Sequence, residues 1–75
     1  MNAFDAVRKA ATSANIPITH IGPSMGKNAA YISSAASRGS SPQANTLAAI
    51  ADVLGYSLVL VPSGDVPESG IVIDE

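Results

Sequence analysis

GKNAAYISSAASRGSSPQANTLAAIADVLG, residues 26–55, is the stretch whose reading decides the fold. It joins a glycine turn, a short run of small polar residues, a Ser/Gly/Pro loop and an apolar-striped segment. Asn28 is a good N-cap, and a helix is expected from there to about Ser37. Ile32, Ala35 and Ala36 would point inward from it, and Ala30, Tyr31 and Ser34 outward. Arg38-Gly39-Ser40-Ser41-Pro42 is a loop signal. Leu47, Ile50, Ala51 and Leu54 then recur at i, i+3, i+4 and i+7, which predicts a helix over residues 43–54. Gly55 stands just past its last apolar residue, where a left-handed C-terminal cap belongs.

Upstream, a helix is expected from Ala3 to about Ala14, with Phe4, Val7, Ala11 and Ala14 on one face. Asn2 can cap it, with Asp5 three residues later as a short-armed capping box. Asn15 and Pro17 end it, because the residue before a proline avoids the helical region. A second, short helix should lie within residues 19–25, with Thr19 as its N-cap. Pro23 is tolerable in a first turn and costs about 3 kcal/mol later, so this helix should be short or tightened near Gly22-Pro23.

Downstream of Gly55 the period changes. Ser57-Leu58-Val59-Leu60-Val61 and Ile71-Val72-Ile73 are continuous apolar runs around a turn-rich segment, residues 62–70. They predict two strands, antiparallel, forming a C-terminal β-hairpin or joining two chains. A strand with one wet face alternates, so continuous runs imply cover on both faces. The chain's own helices can cover one; a second copy, or a partner strand at the open edge, can cover the other. The chain thus divides into a helical domain, residues 1–55, and a strand extension with an acidic end, residues 56–75.

At 75 residues a single core gives marginal stability. There is no cysteine, which excludes a disulfide framework and a thiolate metal site. His20 is the only histidine, so a histidine-based metal cluster is excluded too, and no cofactor is expected. Oligomerisation is the staple left open. No apolar run approaches the roughly 20 residues of a membrane span, and MNAFDAVRKA lacks the order of a secretory signal. A cytoplasmic protein without a membrane partner is expected. Net charge is −2, unevenly spread. Residues 1–62 carry four bases (Arg8, Lys9, Lys27, Arg38) and two acids, hence +2; residues 63–75 carry four acids and no base, hence −4. The body permits a nucleic-acid partner.

Gly26-Lys27-Asn28-Ala29-Ala30-Tyr31-Ile32-Ser33, the loop Arg38–Pro42 and Leu47–Gly55 together resemble the Cro/phage-repressor (lambda-repressor-like) type of helix-turn-helix domain. The resemblance covers residues 16–55. It implies a mainly α bundle of four to five helices that acts as a dimer and reads an operator in the major groove. Gly22 matches the small residue that lets the two motif helices cross closely, Gly26 the turn glycine, and Ile32 the buried branched residue of the recognition helix, here about 28–37. Base-facing positions would be Ala29, Ala30 and Ser34, with Tyr31 beside them. Phosphate contacts would be Lys27, Asn28, Arg38, Ser40, Ser41 and Gln43, although Arg38 could instead meet the carbonyl end of its own helix. The family usually carries long amides where Ala29 and Ala30 stand; alanine can touch only a thymine methyl. The strand extension resembles that of several antitoxins, with Leu58, Val59, Leu60, Val61, Ile71, Val72 and Ile73 as dimerisation residues.

The expected function is therefore a homodimeric, sequence-specific transcriptional regulator, a repressor of phage or mobile-element type, on double-stranded DNA. An antitoxin binding both operator and toxin is one alternative, and a protein-interaction module that has lost DNA is another. Nothing favours an enzyme. Ser33, Ser34, Ser37, Ser40 and Ser41 lack an evident base and acid partner. Gly22–Lys27 holds a Gly-x-x-x-Gly-Lys that is one residue short of a P-loop and follows no strand.

Overall fold

In a computed structural model that describes residues 1–39 and 41–73, the chain folds into four helices: α1 (Ala3–Ala14), α2 (Ile18–Ser24), α3 (Tyr31–Ser37) and α4 (Ala44–Val53). The expected first helix is reproduced at both ends. The Asn2 side-chain oxygen accepts the Asp5 N–H at 2.9 Å, satisfying one of the amides that a helix start leaves orphaned. Phe4, Val7 and Ala11 are buried as their spacing requires, together with Ala3, Ala6 and Ala10.

Three helix ends share one geometry. After α1, Asn15 takes φ 62; its N–H reaches the Thr12 carbonyl at 3.1 Å, and the Ile16 N–H reaches Ala11 at 2.9 Å. The same bond pair closes α2 at Gly26 and α4 at Gly55, where the Tyr56 N–H meets the Ala51 carbonyl at 2.8 Å. These are Schellman closures. Each reverses the chain within two residues, so the helices turn back onto a common core.

That core draws one fully buried isoleucine from each of the last three helices: Ile21, Ile32 and Ile50. Phe4, Val7, Ala10 and Ala11 of α1 and Leu54 after α4 complete it. Each large side chain contributes roughly 1.5–3 kcal/mol by leaving water. Leu47 and Ala51 are half-buried on the same face of α4, as the heptad-like spacing predicted.

Four expectations need correction. α2 begins at Ile18 with Pro17 in the cap position and no side-chain cap, so Thr19 lies inside the helix. Pro23 falls in its last turn, and the helix is short, as expected with that proline: it stops one residue later. α3 begins at Tyr31, not Asn28. The Asn28 carbonyl accepts the Tyr31 N–H at 3.2 Å, so residues 28–30 form a turn and Asn28 caps nothing with its side chain.

The fourth correction is the largest. Among the described residues there is no strand, and the expected C-terminal β-hairpin or strand pair does not form. A hairpin needs one reversal that sets its arms side by side. Here two successive turns intervene, closed by the Asp65 N–H on the Pro62 carbonyl at 3.0 Å and the Gly70 N–H on Pro67 at 2.9 Å. Ile71 is half-buried against the helical core and makes no strand pairing with residues 57–61. An isolated two-stranded ribbon is marginal at best, and packing one isoleucine on an existing core wins. The fold is mainly α.

Candidate nucleic-acid interface

The expected reading surface is built on a close crossing. α2 and α3 pack against each other more extensively than any other helix pair. Gly22 makes this possible. It is buried, and a Cβ there would overlap the Asn28 carbonyl oxygen and press on the Tyr31 Cβ at 3.0 Å. The turn between the helices rests on Gly26 at φ 75, a left-handed conformation costly for any residue with a side chain. The Lys27 N–H then donates to the Gly22 carbonyl at 2.8 Å, which fixes the start of the turn against the end of α2.

On this frame, Lys27, Asn28, Ala29, Ala30, Ser34, Arg38, Ser41 and Gln43 are all exposed. Lys27–Ala30 occupy the turn, Ser34 lies mid-way along α3, Arg38 ends it, and Gln43 stands at the start of α4. The helix expected to enter the major groove is shorter than the expected 28–37: two turns, residues 31–37, preceded by the turn of residues 28–30. Ser40 lies outside the described residues, as do Asp74 and Glu75.

Tyr31 departs from its expected place. It is half-buried and packs against the core, its Cβ facing Gly22, because starting α3 at residue 31 turns this position inward to α2. Ser33 and Ser37 are exposed on α3 and join Ser34 on its outer side. The outward positions are therefore almost all one- or two-atom side chains. They bring a backbone close to a partner surface and offer hydroxyls, with little reach.

Charge is supplied from the ends. Arg8, Lys9, Lys27 and Arg38 are exposed, and none of their side chains pairs with a carboxylate among the described residues. Nor does the Arg38 side chain meet the carbonyl end of α3, which leaves its guanidinium available to an outside anion. A polar cleft of about 380 Å³ separates the start of α1 from the end of α3, and Arg8, Asp5, Ser37, Gly39 and Ser41 line it. Arg8 thereby joins the edge of the surface that carries Arg38. Sequence spacing carries no sign of this, since thirty residues separate them and only the fold sets the start of α1 across this cleft from the end of α3.

No group of three His, Asp or Glu side chains converges among the described residues, and none of the helices is long and apolar enough to cross a membrane. The seven positions expected to join two chains divide: Leu58, Val59, Leu60, Val61, Val72 and Ile73 are exposed, whereas Ile71 packs on the core. No protein-family model, curated protein or solved structure matches this chain.

Proposed function

We propose that the chain is a sequence-specific DNA-binding transcriptional regulator, acting as a repressor, that presents the turn of residues 27–30 and α3 to the major groove. One observation carries this reading. A two-helix unit is locked by Gly22 and Gly26 so that the turn of residues 27–30 and the Ser33, Ser34 and Ser37 face of α3 are exposed, with Lys27 and Arg38, unpaired among the described residues, at either end. Cations flanking a helix of small side chains suit a surface that must lie close to a groove while touching phosphates at its margins. Ala29 and Ala30 favour contact with thymine methyls, and Ser34 can meet any base edge. With few phosphate contacts, one copy would bind weakly and with a shallow salt dependence; two linked copies on paired half-sites would double the salt slope and raise the affinity by far more than twofold.

The test is binding of the purified protein to its own upstream DNA and to scrambled DNA, followed by fluorescence anisotropy at two salt concentrations. Preference for the upstream DNA is expected, and Lys27→Ala with Arg38→Ala should abolish binding. Equal affinity for both DNAs would sink the specific regulator. Binding to neither would favour a protein-interaction module built on the same helices. The exposed apolar C-terminal segment supports a second reading, an antitoxin that binds both DNA and a toxin protein; an adjacent toxin gene would decide for it.

A further inference from the structure

Between residues 29 and 37 the exposed surface has no side chain that tells one hydrogen-bonding base edge from another. Ala29 and Ala30 stand exposed in the turn ahead of α3, and Ser33, Ser34 and Ser37 are exposed along the helix. Tyr31, the one residue here whose hydroxyl has a long reach, is drawn inward by the crossing at Gly22.

Each residue left outside reads in a limited way. A serine hydroxyl donates or accepts as its rotation allows, so it meets the O4 acceptor of thymine and the N4 donor of cytosine alike. An alanine methyl makes no hydrogen bond and gains only by covering apolar surface. The only methyl that an ordinary base edge shows in the major groove is the one at C5 of thymine. 5-Methylcytosine carries the same methyl on the same ring carbon, and so at the same place in the groove. What distinguishes the two bases is the exchange of O4 for N4, to which these side chains are indifferent.

We propose that Ala29 and Ala30 make this surface a reader of C5-methylated pyrimidines, which accepts 5-methylcytosine·guanine where it accepts thymine·adenine and discriminates against both unmethylated counterparts. The inference rests on the DNA-binding reading above and adds the class of base that the site takes. Alanine's methyl sits directly on the backbone, so the turn itself must come against the base edges, and the short serines beside it leave room for that approach. Asn28, exposed one residue earlier, is the neighbour able to prefer adenine over guanine. Base pairs are therefore exchanged one at a time in the test.

Fluorescence anisotropy of the full chain on synthetic duplexes of its upstream DNA provides that test. Replacing single thymines by deoxyuridine deletes one methyl and nothing else. At one or more positions this should weaken binding about fourfold, the effect of about one buried methyl group at about 0.8 kcal/mol. At one or more of those positions, 5-methylcytosine·guanine should bind within about twofold of thymine·adenine, and cytosine·guanine about fourfold more weakly. Ala29→Gly with Ala30→Gly removes both methyls at exposed positions, so the deoxyuridine penalty should vanish while helical circular dichroism is kept. The wild-type duplex series decides by itself if that variant does not fold. No binding to the unmodified duplex fails the regulator reading together with this one. Binding that no deoxyuridine weakens, or that treats 5-methylcytosine as plain cytosine at every methyl-sensitive position, overturns this inference alone. So does a glycine variant that folds, binds and keeps the full penalty.

Discussion

Substituting Gly22 by alanine asks whether the α2–α3 crossing is as tight as the structure has it. The added methyl would overlap the Asn28 carbonyl oxygen and crowd the Tyr31 Cβ at 3.0 Å. Neither is the movable end of a long side chain, so relief requires shifting the backbone of the turn or of α3. Overpacking of this kind costs about 1–3 kcal/mol, and backbone overlap puts Gly22→Ala at the upper end, about 3. Alanine's better helix propensity returns about 1 kcal/mol. The net loss is then about 2 kcal/mol, which for a domain of this size lowers the melting temperature by roughly 8–16 °C. Thermal unfolding followed at the helical circular dichroism band, with urea titration as a second measure, reads it directly. Gly26→Ala is the comparison. Nothing lies within 4 Å of its added Cβ, so only its φ of 75 opposes it, at about 1–2 kcal/mol. A Gly22→Ala protein as stable as wild type, or more stable, would refute the close crossing and with it the placement of α3.

Asn2→Ala should remove the cap on Asp5 and cost about 1 kcal/mol, with Asn2→Asp restoring most of it; unchanged urea midpoints would show that the cap contributes nothing. Ile32→Ala, at a fully buried site, should cost about 2–5 kcal/mol and leave little folded protein at room temperature by circular dichroism, whereas the neighbouring Ser33→Ala should stay within experimental error. If DNA binding is found, Arg8→Ala should weaken it about uniformly across sequences and lower the salt slope by about 1, as loss of one phosphate contact requires; an unaltered slope would remove Arg8 from the surface. Ile71→Ala should release the C-terminal segment from the core and speed protease cleavage within residues 62–70 while leaving the helices folded; equal cleavage rates would contradict the docking seen here.

The legibility of each element follows from how local its cause is. α1, α4 and their ends could be read directly, because the cap at Asn2, the apolar stripe through Ile50 and Leu54 and the reversal at Gly55 each depend on neighbours within one or two turns. The start of α3 could not. Asn28 is a good cap by type, yet its carbonyl is committed to a turn that exists because Gly22 lets α3 fall against α2. Tyr31 lies inward, and not beside the base-facing positions, for the same reason. Whether it faces water or α2 depends on a phase that the crossing sets.

Residues 26–55 by themselves determined that this protein is a bundle of short helices with its small polar residues turned out, since periodicity and glycine punctuation act over a few residues. The C-terminal third was decided only in three dimensions. Residues 57–61 and 71–73 have the composition of strands, but a strand also needs a neighbour of matched length and register. Ile71 instead finds the helical core, two turns consume the span between, and the remaining apolar side chains are left in water. Composition records that a side chain favours burial; which surface buries it is a property of the assembled fold.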